Sequence, residues 1–111
     1  MSPTCIAERE LIYRRKGTSE EGRFAIRIFA PVRVEPGSVA FTVEKNVSGC
    51  SYEFDGFPQP IRDTAYGADS IQALQLALNI DSILKGLGRT YDFYFVDGEP
   101  YFESDPRTER K

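Results

Sequence analysis

Apolar and polar side chains alternate along several short stretches of this chain with a period of two, the spacing that sends successive residues to opposite faces of a strand. The clearest case is residues 23–30, where Phe24, Ile26, Ile28 and Ala30 interleave with Ala25, Arg27 and Phe29 before Pro31 closes the run. Residues 5–15 read as its hairpin partner across the polar loop 16–22. In that strand Ala7/Arg9/Leu11/Tyr13 and Ile6/Glu8/Glu10/Ile12 compete as the inward set, so its facing stays open and an edge position fits it. A second hairpin is expected from Val39, Phe41 and Val43, the turn 46–49, and Cys50, Tyr52 and Phe54. Asp55-Gly56, Pro58 and Pro60 interrupt the chain before a short extended piece at 61–66. Residues 91–96 and 99–103 flank Asp97-Gly98, a dipeptide suited to a tight type I′ turn.

One segment changes period. From Asp69 to Gly86 or Gly88 the apolar positions follow the helical repeat, with Asp69 as N-cap, Gln72 three residues on reaching back to it, and the glycines offering a left-handed end. With Ile71 at zero and about 100° per residue, Ala73, Leu76, Ala77, Ile80, Ile83, Leu84 and Leu87 fall between roughly 120° and 240°, the face expected on a sheet. Gln72, Gln75 and Asn79 form an uncharged polar strip. A second apolar set, Ile71, Leu74 and Leu78, lies off the sheet-facing arc and requires cover, either from 57–66 or the last hairpin of the same chain, or from another protein. Asp81 and Lys85, four apart in the favourable order, mark solvent on the second half. The predicted fold class is α+β: an antiparallel β-sheet of about five to seven strands built from hairpins, packed on one long α-helix over about 69–86.

Length and composition fit one domain, over 1–103, followed by a polar tail at 104–111. No apolar run approaches the ~18 residues of a membrane span and the first residues lack a signal-peptide layout, which points to the cytoplasm. The net charge of −3 is uneven: residues 1–33 carry +3, residues 34–106 carry −8 and the last five carry +2. An acidic body disfavours nucleic acid as the main partner, and only Arg9, Arg14, Arg15, Lys16, Arg23 and Arg27 keep that reading open.

Chemistry-bearing constellations are sparse. The chain has no histidine, which removes the usual general base, the Ser-His and Cys-His pairs and most transition-metal sites. Its two cysteines, Cys5 and Cys50, show no metal or redox spacing, and Cys50 shares a strand face with Tyr52 and Phe54 as a buried structural thiol would. Glu53 and Asp55 share the opposite face and read as a solvated pair rather than an acid–base couple. Gly67 has no glycine companions of the kind that cradle phosphate. No catalytic residue, cofactor or metal is therefore expected.

The stretch Tyr66-Gly67-Ala68-Asp69-Ser70-Ile71-Gln72-Ala73-Leu74-Gln75-Leu76-Ala77-Leu78 resembles the hallmark of a family of small, uncharacterised bacterial domains of unknown function. Residues 50–56 and 6–11 are similar to that family's strand before the motif and to its opening strand. The resemblance implies a bacterial source and the same order of elements, and it carries no activity; the longer loop region 36–49 departs from the family's pattern. In the motif itself, Tyr66 and Gly67 make the turn, and Asp69 and Gln72 the cap. The leading functional expectation is a non-catalytic protein-binding module, of inhibitor or immunity type, that meets a protein partner or a second copy through Ile71, Leu74, Leu78 and Gln75. The alternatives are a small-ligand binder or minor enzyme with a pocket between the aromatic C-terminal hairpin and the 66–72 turn, and a weak nucleic-acid binder.

Overall fold

The computed structural model describes residues 4–35 and 47–102. Among the described residues six strands make one antiparallel sheet: β1 (Cys5–Arg15), β2 (Glu21–Phe29), β3 (Val32–Arg33), β4 (Ser48–Asp55), β5 (Ile61–Gly67) and β6 (Tyr91–Phe95). β1 pairs with β2 along its length and with β6 from Leu11 to Arg15 only. β4 carries β5 on one side and β2 followed by β3 on the other. Between Ile28↔Tyr52 and Val32↔Gly49 the register slips by one residue, at the bend that holds Ala30 and Pro31. There the buried Cys50 thiol donates to the Phe29 carbonyl at 3.1 Å, satisfying an acceptor that the bend takes out of the ladder. The expected strand at 39–43 and the tail from 104 lie outside the described residues.

The competing facings of β1 are resolved. Leu11 is fully buried and Tyr13 packs on the core, so the odd-numbered residues point inward and Glu8, Glu10, Ile12 and Arg14 outward. On the inner face an aromatic cluster gathers around Phe57, whose ring lies 4.9 Å from both Phe24 and Tyr91, 5.5 Å from Tyr13 and 6.0 Å from Phe54 and Phe93. Such tilted and edge-on pairs add to area burial by about 0.5–1.5 kcal/mol each.

The single long helix expected over 69–86 is not formed, and the picture of a sheet packed on one long helix is corrected accordingly. The segment makes two short helices, α1 (Ser70–Ala77) and α2 (Ile80–Gly86). At Asn79 the backbone leaves the helical region (ψ 50°), its N–H bonds back to the Leu76 carbonyl, and its side-chain oxygen accepts from the Ser82 hydroxyl at 3.1 Å. Asn is a poor helix-interior residue and a good helix starter, so the break falls where local preference places it. The sheet-facing arc is also narrower than expected: Ala73, Ala77, Ile80 and Leu84 are buried, whereas Leu76 stands 51% exposed.

The start of α1 is capped much as its sequence requires. Asp69 accepts from the Gln72 N–H at 2.8 Å, while the Gln72 side chain reaches back one residue past the cap, accepting from the Ala68 N–H at 2.6 Å. The glycine ends are a further correction: neither Gly86 nor Gly88 is left-handed, and α2 closes on Leu87 in right-handed geometry. The last turn is corrected as well. The Gly98 N–H donates to the Phe95 carbonyl, which centres the turn on Val96 and Asp97 with Gly98 following at positive φ, and among the described residues the returning segment forms a single bridge, Tyr94↔Pro100, so a type I′ turn on Asp97-Gly98 between two full strands is ruled out.

Gly67 serves close approach rather than turning. A Cβ there would lie 2.4 Å from the Ala73 backbone nitrogen, so α1 seats directly on the end of β5. Gly67→Ala is expected to cost about 1–3 kcal/mol through overpacking, whereas Gly86→Ala, with nothing within 4 Å of the added carbon, should be neutral or gain up to about 1 kcal/mol in helix propensity. Urea unfolding of both variants checks the contrast.

Candidate functional site

Two surfaces carry features that the fold alone does not use. The first is α1. Residues 70–80 contain no charged side chain, and because only Ala73 and Ala77 of α1 are buried, the larger apolar residues turn outward. Ile71 is 67% exposed and Leu78 49%, two helical turns apart; Leu74 between them packs partly on the core, and Gln75 is exposed beside them. Among the described residues neither 57–66 nor the last hairpin buries Ile71 or Leu78, while Leu74 of the same periodic set is partly covered. Tyr66, at the end of β5, points to the outer face.

The second surface, which the sequence did not reveal, is the elbow between α1 and α2. It overhangs the early part of β1 and encloses a cavity of about 230 Å³ with an apolar floor of Ala7, Ile26, Ile28 and Ile80, and a rim that includes Leu78, Arg9 and Asp81. A relay of hydrogen bonds crosses this end of the domain: Arg9 Nη1 donates to Tyr101 Oη, and Tyr101 Oη donates to Asp81 Oδ1 at 2.6 Å. Partial burial, reinforced by Asp81 and opposed by Arg9, raises the Tyr101 phenol above its usual pKa. Arg9 also stacks over the Tyr101 ring and Lys85 over the Phe102 ring. Asp81 and Lys85, expected to mark solvent, are exposed, and each engages the C-terminal segment.

The outer sheet face is a charge ladder. Arg27 bonds Glu8 and Asp55 at 2.7 Å and Glu53 at 3.4 Å, and Glu53 also meets Arg62. These bonds to Glu8 and Asp55 hold the Arg27 guanidinium charged well beyond its ordinary range. Glu53 and Asp55 are thereby committed to a cation. Arg14 pairs with Glu21, Arg15 with Glu20 and Lys16 with Asp92, so the basic N-terminal set is largely neutralised within the fold. A shallow hollow of about 520 Å³ between β4 and β5 is crossed by the Glu53–Arg62 pair and by the Ser51–Thr64 hydroxyl bond. Burial pushes the Cys50 thiol up, away from the reactive thiolate.

The raised phenol gives a signed prediction. A group whose pKa is higher folded than unfolded contributes stability that is complete below the unfolded value, about 10 for tyrosine, and disappears as pH rises through the folded value. Wild type should therefore lose stability more steeply than Tyr101→Phe as pH rises past the ordinary tyrosine value of about 10, while at pH 7 the variant should be weaker by no more than about 1 kcal/mol. Thermal melts of the two proteins across this range check the difference in slope.

Among the described residues no helix is long and apolar enough to cross a membrane. No curated protein and no solved structure matches the chain. One family model does match, over residues 7–86, from the inward face of β1 through the capped start of α1 to the end of α2. The chain belongs to that family, described as a domain of unknown function, DUF6968.

Proposed function

We propose that this domain is a non-catalytic protein-binding module of bacterial origin, of inhibitor or immunity type, that docks the apolar, uncharged face of another protein on α1. The observation that carries the reading is the exposure of Ile71 and Leu78, at 67% and 49%, on a helix without a single charge in a protein that is 28% charged. Desolvating such a face costs little, since no ion loses its water, and each large side chain buried there contributes about 1.5–3 kcal/mol. The flanking Gln75 supplies a directional hydrogen bond without a charge penalty.

The alternatives have less support. The elbow cavity, at about 230 Å³, is smaller than the ~300–1,000 Å³ of typical small-ligand sites, and it lies at the α1–α2 break rather than beside the 66–72 turn. The hollow on the outer face has its hydroxyls and charges bonded to one another. A nucleic-acid reading needs free cations, and most of the candidate arginines and Lys16 face a carboxylate.

The test uses Ile71→Asp with Leu78→Asp, and Leu76→Asp as a control on the neighbouring face. Because Ile71 and Leu78 are both exposed, at 67% and 49%, the double variant should melt within about 3 °C of wild type. A photo-reactive residue at position 75 should cross-link one partner protein in native cells, and the double variant, but not the control, should lose it. A melting point many degrees lower, or an unchanged cross-link, would refute the assignment; a cross-link only to a second copy would replace the partner by a homodimer.

A further inference from the structure

The early part of β1 has an open side. β6 pairs with Leu11–Arg15 and stops, while β1 continues for six more residues toward Cys5, all of them exposed. The Arg15 N–H bonds toward β2, to the Glu20 carbonyl, and the Lys16 N–H bonds away from it, to Thr90. Strand alternation, uninterrupted from there to Ala7, therefore turns the N–H and C=O of Glu8 and Glu10 away from β2, onto the side that no strand occupies among the described residues. Unpaired edge groups of this kind are a ready template for another chain.

Three further observations narrow what would pair there. The Glu8 and Glu10 side chains stand on the outer face, and Glu10 has neither a salt bridge nor a side-chain hydrogen bond among the described residues. A second copy paired about Glu8 or Arg9 is disfavoured, since antiparallel self-pairing there would set Glu8 against Glu8, or Glu8 against Glu10 and Arg9 against Arg9, like charges that destabilise a ladder. On the inner face the same stretch borders the elbow cavity, whose Ala7, Ile26, Ile28, Leu78 and Ile80 offer an apolar floor beside the edge.

We propose that residues 6–10 of β1 form a site for β-strand addition, taking an extended peptide that alternates basic and apolar residues. One basic side chain opposes Glu10, another opposes Glu8 where it shares that carboxylate with Arg27, and the apolar ones turn inward past Arg9 to the elbow cavity. Main-chain hydrogen bonds to Glu8 and Glu10 hold the peptide, and the alternating faces give it specificity. This deepens the protein-binding reading by naming a partner segment; the two surfaces share Leu78 at the cavity rim but not Ile71, so Ile71→Asp separates the failure of one from the failure of the other.

The experiment follows backbone amide exchange by NMR with acetyl-Lys-Val-Lys-Val-Lys-amide as probe and acetyl-Glu-Val-Glu-Val-Glu-amide as control. The basic peptide should slow exchange at the Glu8 and Glu10 amides and bind at least about tenfold more tightly than the acidic one. Glu10→Lys should reverse that preference. Glu10→Pro, which removes only an outward N–H and is tolerated on an edge, should weaken binding about tenfold with circular dichroism unchanged; should that variant not fold, Glu10→Lys decides. Ile71→Asp should leave peptide binding as in wild type. Slow exchange at Glu8 and Glu10 in the free protein, equal affinity for the two peptides, or shifts at the carboxylates without amide protection would each overturn the proposal.

Discussion

The close seat of α1 on the end of β5 governs much of what this domain presents to solvent. Gly67 lets the Ala73 backbone approach to a distance that no side chain would permit, and Ala73 and Ala77 are small enough to keep the helix there. A helix seated on alanines buries a narrow stripe. Its larger apolar residues have no room beneath it and stand at its flanks, so the exposed Ile71, Leu76 and Leu78 are a geometric result of the small-residue contact.

That seat also divides the interior. Beneath α1, at the Cys50 end of β4 and the Ala65 end of β5, the core residues are small, whereas elsewhere rings fill it, with Phe57 wedged among Phe24, Tyr91, Tyr13 and Phe54. The two regimes meet where α1 gives way to α2. The break at Asn79 lets Ile80 and Leu84 enter the core from α2 while α1 keeps its own short distance to the sheet. The cavity at the elbow is the space left by that change of height.

Strand positions were legible because period-two alternation reports directly on a half-buried ladder, and β1, β2, β4, β5 and β6 all fall close to the runs read from Phe24/Ile26/Ile28, Tyr52/Phe54 and their neighbours. The Asp69–Gln72 cap was equally visible, since it is local. The helix break was not, because Ile80 and Leu84 keep the same phase as Ala73 and Ala77, and a periodicity count is blind to one residue's ψ. Asn79 followed three residues later by Ser82 was the available sign, and the structure confirms that those side chains bond. The Arg9–Tyr101–Asp81 relay was out of reach for a different reason. Its members come from a strand whose facing was ambiguous, a helix assigned to solvent on that side, and a segment read as an aromatic hairpin.

The two thiols stand in opposite circumstances: Cys50 is sealed beneath the β2–β3 bend, whereas Cys5 is exposed at the very start of the unpaired side of β1. Nature has thus left one accessible thiol per chain, adjacent to the region where a visiting strand would lie. A maleimide dye would attach at that single position without engineering, giving a built-in optical reporter of anything that settles alongside.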